Sequence, residues 1–177
     1  EEDCGDRECG PSPNLGNDCG TCTEATENCI FGKCVILEWQ DSPEDIPMDW
    51  QQAIDYCVSL SLDGHSDWHL PSISELRSLI RGCSAIETGG SCGVTDDCLS
   101  YYACRDSFCE GCFVGQGPAG CYWPTGMEGS CFTYWSSSPC EDGDDGDGAW
   151  SVDFNSGHVY SFVKTGGYYV RCVRRGE

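Results

Sequence analysis

The sequence predicts an α+β domain held by disulfides, with a small cysteine-rich module in front of it. Three observations carry this. Seventeen of 177 residues are cysteine, a density that belongs to a disulfide scaffold in an oxidising compartment. Two segments with helical apolar spacing follow a short strand pattern. The end of the chain alternates apolar and polar residues in strand fashion.

Residues 1–34 read as a separate module. Cysteines at 4, 9, 19, 22, 29 and 34 lie among Gly, Pro and Asn. Six of them suggest a three-bridge knot, with about fifteen pairings open. Cys19-x-x-Cys22 has zinc-ligand spacing, but the region lacks histidine and thiolate zinc does not suit an oxidising compartment, so disulfides are expected. By spacing the module resembles the small EGF-like units of secreted proteins.

The main domain begins at Val35 and runs to 177. "VILEWQD" reads as a strand. In "PMDWQQAIDYCVSLSL", Trp50, Ala53, Ile54, Cys57 and Val58 share one helical stripe, and Asp49 is placed as N-cap. In "LPSISELRSLIRG", Ser72 and Glu75 form a capping box and Gly82 is the expected stop. Residues 83–131 have no period and eight cysteines, and read as a long insertion held by bridges. "AWSVDF" places Trp150, Val152 and Phe154 inward, with Ser151 and Asp153 outward. "NSG" turns the chain with Gly157 at positive φ, and "HVYSFVK" returns as a hairpin. "GYYVRCVRR" reads as a third strand with Tyr168, Val170 and Cys172 on one face.

No apolar run is long enough for a membrane helix. The chain opens at Glu1 without a visible leader, which reads as a mature secreted or cell-surface form. Thirty acidic residues against nine basic ones give a net charge of −21. Such a chain repels nucleic acid and other polyanions. The one candidate basic patch is Arg171, Arg174 and Arg175.

"WQQAIDYCVSLSLDGHSDWHLPSISELRSLI", "YWSSSP", "AWSVDFNSGHV" and "YYVRCVRR", in this order, resemble the Lcl C-terminal domain family of bacterial secreted and surface proteins, including collagen-like adhesins. The resemblance implies a C-type-lectin-like fold: two helices beside a small twisted antiparallel sheet. It also implies a Cys57–Cys172 bridge between the first helix and the last strand, and Cys131–Cys140 is the second expected pair. The family usually has arginine where this chain has His69, which implies a shorter, pH-dependent contact with a carboxylate. His65 and His69 also invite a metal reading, but on an extended stretch they would lie roughly 13 Å apart.

Calcium-dependent C-type lectins use Glu-Pro-Asn or Gln-Pro-Asp together with Trp-Asn-Asp. This chain has neither, and reads Trp150-Ser151-Val152-Asp153 at the matching strand. Valine cannot ligate a hard cation. The run Glu141, Asp142, Asp144, Asp145, Asp147, interleaved with glycine, fails the EF-hand pattern because Gly146 takes the fifth position from Asp142. It reads as a solvated loop marking the ligand-presenting region, with or without calcium. Trp123, Tyr134 and Trp135 either stack on a glycan there or fill the core.

Catalysis is not expected. Only His65, His69 and His158 are available as bases, and no Gly-x-Ser-x-Gly or cofactor motif occurs. A cysteine-dependent oxidase, by analogy with the formylglycine-generating oxidases of similar architecture, is the remote alternative. The expected function is an adhesion or recognition module for a glycan or protein on another surface. It would work with or without assembly into a fibre or coat of like copies, and calcium-assisted glycan binding is the alternative. The odd cysteine count leaves one thiol over, expected within 83–121, either bridging to another chain or simply buried.

Overall fold

The computed structural model describes residues 27–30, 33–143 and 146–176. The chain divides into two compact units: residues 1–38 with 174–177, and residues 39–173. The knot and EGF-like readings for 1–34 fall almost wholly outside the described residues. Cys34 is disulfide-bonded.

In the first unit, β1 (Glu27–Ile30) pairs antiparallel with β2 (Lys33–Trp39), whose last residue passes into the second unit. The final strand of the chain, Val173–Arg175, completes a three-stranded sheet on the other side of β2. Arg174 donates to Glu38 at 2.5 Å, and the Gly176 amide to the Ile36 carbonyl at 3.0 Å.

Among the described residues, the second unit carries three short helices and a second sheet. Helix α1 (Trp50–Ser59) starts at the expected N-cap. The Asp49 carboxylate accepts from the Gln52 amide, and the Gln52 side chain accepts from the Asp49 amide. Ala53 and Cys57 are fully buried, whereas Val58 is 65 % exposed, so the apolar stripe is narrower than its spacing suggests.

Helix α2 (Ile73–Arg77) begins with the expected Ser72/Glu75 capping box but stops well before Gly82. The Ser78 hydroxyl donates to the Glu75 carbonyl at 2.6 Å. The Leu79 amide turns instead to Leu76, and Ile80 to Arg77. A side-chain hydroxyl competing for a main-chain carbonyl tightens the last turn and ends the helix.

The second sheet has the order β3 (Thr133–Cys140), β4 (Gly148–Asp153), β5 (His158–Val163), all antiparallel. With β6 assigned to Val173–Arg175, the strands are complete among the described residues. "YWSSSP" therefore lies within a strand. The register shifts between Trp135 and Pro139, as expected where proline withdraws a ladder donor.

Central strand β4 is buried on both faces. Trp150, Val152 and Phe154 join a core with α2 and the insertion, while Ala149 joins a second core with α1, Trp135, Val170 and Cys172. Ser151, expected outward, is fully buried and donates to the Tyr160 carbonyl at 2.9 Å. The β4–β5 turn holds Gly157 at φ +72°, as expected. "GYYVRCVRR" is not one continuous strand. Tyr168 bridges Met48, Tyr169 bridges Tyr134, and only its end forms β6. The alternation survives: Tyr168, Val170 and Cys172 all face the α1 core.

Among the described residues five disulfides are formed. Cys57–Cys172 joins α1 to the chain's closing segment, with Cα atoms 5.4 Å apart. The other four are Cys83–Cys112, Cys92–Cys109, Cys98–Cys104 and Cys121–Cys131. The expected Cys131–Cys140 pair is therefore corrected. β3 holds Thr133–Cys140 extended, about 3.3 Å per residue, which carries Cys140 well away from Cys131 and beyond disulfide reach, and Cys131 pairs with Cys121 instead. All eight cysteines of the insertion pair within it. The free thiol among the described residues is the buried Cys140, not one in 83–121.

Candidate functional site

The insertion is organised by nesting. Cys83–Cys112 encloses Cys92–Cys109, which encloses Cys98–Cys104, so residues 83–112 double back on themselves as a finger. Near its tip is helix α3 (Tyr101–Cys104), capped by the Ser100 hydroxyl on the Ala103 amide. A single 3-10 turn, Ser107–Glu110, follows and packs on β5.

The finger is seated on the β4–β5 turn largely through the main chain. The Cys112 amide donates to the Ser156 carbonyl at 2.6 Å, Gly115 to Asn155 at 2.8 Å and Tyr122 to Phe154 at 2.8 Å. Gly111 has φ +81°, and a Cβ there would fall 2.4 Å from the Ser156 carbonyl oxygen, so only glycine permits this approach. At the root, Asp96 accepts from the Ser72 hydroxyl at 2.7 Å and from Ser138 at 3.1 Å, tying the finger to α2 and β3. Arg77 donates to the carbonyls of Ile86 and Val94. Burial lowers its pKa to about 10, against the raising effect of Asp96, so it stays charged at neutral pH.

Between finger and sheet lies a polar–aromatic cluster. The Arg105 guanidinium sits over the rings of Tyr101 (5.3 Å) and Tyr160 (4.7 Å). It donates to Glu110 at 2.6 Å and lies 3.1 Å from His158 Nε2. Burial lowers the His158 pKa below the ordinary value of 6.5; Glu110 and Asp153 oppose the shift, and Arg105 adds to it. As pH falls, the unfolded chain takes up this proton first. Stability is therefore expected to decline from about pH 6.5 down to the lower folded value and to level off beneath it. Melting curves across that window should show the decline, and His158→Gln should remove its share. An unchanged slope in the variant would assign it to other groups.

This segment also exposes large apolar side chains. Tyr102 (79 % exposed), Phe108 (53 %), Phe113 (78 %) and Val114 (67 %) all project from residues 102–114. Sequence reading missed them because an aperiodic stretch gives no face to assign. The density of cysteine on either side was the available signal that these side chains sit on a rigid base.

The residues expected to contact ligand lie elsewhere. Trp123, Tyr134 and Trp135 are at most 4 % exposed and fill the cores. Tyr134 packs edge-on to Trp123 and Phe154, and burial raises its pKa to about 12. Asp153 is half-buried and shapes the hairpin turn, accepting from the Asn155 amide at 3.0 Å and the Ser156 hydroxyl at 2.7 Å. Asp142 accepts from the Ser100 hydroxyl at 2.6 Å and from the Tyr101 amide. These bonds, Ser100 first, hold its pKa below the usual carboxylate value. Asp147 faces Lys164 at 3.7 Å. Asp144 and Asp145 lie outside the described residues. The described carboxylates of the run therefore face different partners, and no group of three or more ligand-type residues able to hold a metal forms among the described residues.

His69 lies 3.2 Å from Glu75, the carboxylate contact expected of it. The basic patch does not form. Arg171 and Arg174 are buried, which leaves Arg175 exposed. Among the described residues no helix is long and apolar enough to cross a membrane.

A small helix-and-sheet domain with long bridged loops defines a disulfide-rich α+β module. The model of the Lcl C-terminal domain matches residues 33–174, most of the chain, and the protein belongs to that family. A search of curated proteins finds no match. Family and disulfide content fit an extracellular surface module.

Proposed function

We propose that this is a non-enzymatic extracellular recognition module, with a C-type-lectin-like frame that presents the nested-disulfide finger to another surface. One observation carries the reading: Tyr102 and Phe108 stand exposed within the nested bridges, and Phe113 and Val114 directly after Cys112, where the Cys112 and Gly115 amides seat the chain on the β4–β5 turn. Exposed apolar groups on a rigid base lose little entropy on docking and serve as anchors. The Cys57–Cys172 bridge between first helix and closing segment supports the lectin-like frame.

The histidines support the non-enzymatic part. His69 is engaged by Glu75, and His158 is held between Arg105 and Glu110. Cys140, at 2 % exposure, is poorly placed to link chains covalently into a fibre, so recognition is favoured over covalent assembly.

Phe108→Ser/Phe113→Ser tests the reading. Binding of labelled protein to a panel of cells and extracellular matrix is expected to fall about thirtyfold, while the melting temperature stays unchanged because both side chains face solvent. Equal retention of the variant and the parent chain on every surface would refute it.

A further inference from the structure

We propose that the exposed apolar side chains of residues 102–114 receive a cationic, amphipathic protein segment, in preference to a glycan or a second copy of this chain; this rests on the recognition reading above. The chemistry around the anchors selects the partner. Residues 83–131 contain six acidic side chains and one basic one, Arg105. That arginine is held between two tyrosine rings, bonded to Glu110, and its side chain is only 13 % exposed. It therefore adds little positive potential to the surface.

Asp106 and Glu110, both exposed, flank Phe108 in sequence. Glu141 and Asp142, at the start of the acidic run, are brought to the same finger. The Glu141 amide donates to the Leu99 carbonyl at 3.2 Å, and Asp142 is bonded to Ser100 and Tyr101, directly before Tyr102. Tyr102 and Phe108 thus stand among acceptors and negative charge. A partner that buries them needs apolar groups of its own ringed by lysine or arginine.

A second copy carries the same −21 charge and the same acidic finger, and is repelled. A neutral glycan would need donors and acceptors converging beside the rings. The carboxylates beside Tyr102 and Phe108, by contrast, are already bonded to Arg105, Ser100 or main-chain amides.

The test uses the full disulfide-bonded chain with three immobilised probes: a synthetic helix with leucine and tryptophan on one face and lysine on the other, the same helix with glutamate for lysine, and oligolysine. The lysine helix is expected to bind. Phe113→Ser/Val114→Ser should weaken it about thirtyfold. Glu141→Lys should slow association, with the difference vanishing as salt shortens the Debye length to a few ångströms.

Equal binding of oligolysine with no effect of Phe113→Ser/Val114→Ser would mean charge alone and would overturn the proposal. Concentration-dependent dimerisation through the finger in sedimentation would overturn it in favour of a second copy. Glycan-array binding lost in Phe113→Ser/Val114→Ser would overturn the partner class but leave the recognition reading standing. If no probe binds and Phe108→Ser/Phe113→Ser is retained on cells like the parent chain, both fall together.

Discussion

Replacing both Cys57 and Cys172 with alanine is expected to lower the melting temperature by roughly 10–20 °C. The bridge spans 115 residues, and in the chain-entropy model a loop near 100 residues contributes on the order of 4.7 kcal/mol. Both half-cystines are fully buried, so alanine also leaves a cavity in the core, which adds to the loss. The bridge also sits beside a main-chain clasp. The Gln40 amide donates to the Cys172 carbonyl at 2.9 Å, and the Gln40 side-chain oxygen accepts from the Cys172 amide at 3.2 Å. The double substitution is the informative one, because a single change leaves a thiol able to exchange with other disulfides. Thermal melts under non-reducing conditions measure the effect. A shift of no more than about 2 °C would show that packing, not the bridge, joins α1 to the closing segment.

Arg171→Ala is expected to cost on the order of 3–5 kcal/mol. Arg171 is 1 % exposed and donates to three main-chain carbonyls: Gln40 at 2.5 Å, Asp41 at 3.2 Å, and Glu128. Its guanidinium lies 5.3 Å from the Trp123 ring centre and 6.0 Å from that of Tyr134. Gly129 makes room for it, since a Cβ there would meet Arg171 Nη2 at 2.9 Å. Truncation strands acceptors from two separate loops and opens a void between two aromatic rings. Lysine keeps the charge but cannot fork toward three carbonyls, so Arg171→Lys should recover less than half of the loss. Denaturant titration of the three proteins measures this. A loss below about 1 kcal/mol for Arg171→Ala would mean that water replaces the guanidinium without strain.

Legibility from sequence followed how local each cause was. Asp49, Ser72 and Gly157 each act within a few residues, through a cap or a positive φ, and all three were readable. The end of α2 was not, because it depends on whether the Ser78 hydroxyl turns back onto Glu75. The Cys57–Cys172 bridge came through resemblance. Within 83–131, eight cysteines allow about 105 pairings, and nothing local selects the nested set.

The site was the least legible part. Trp123, Tyr134 and Trp135 cannot be told from Tyr102, Phe108 and Phe113 by residue type. Burial is decided by which β3 and β4 residues meet the insertion, a tertiary matter. The acidic run was noticed, but the bonding of Asp142 to Ser100 and Tyr101 depends on a contact 41 residues away in the chain. Asp153, the outward residue of an alternating strand, was drawn into a turn by the Ser156 hydroxyl.

The finger meets the β4–β5 turn through main-chain bonds at Cys112, Gly115 and Tyr122. Amide and carbonyl groups are the same whatever side chain they carry. Mutations at 102, 108, 113 and 114 can therefore accumulate without loosening that seat, provided the cysteines and Gly111 stay. The frame can be inherited unchanged while its tip is rewritten, which gives such a protein a short evolutionary route from one binding target to the next.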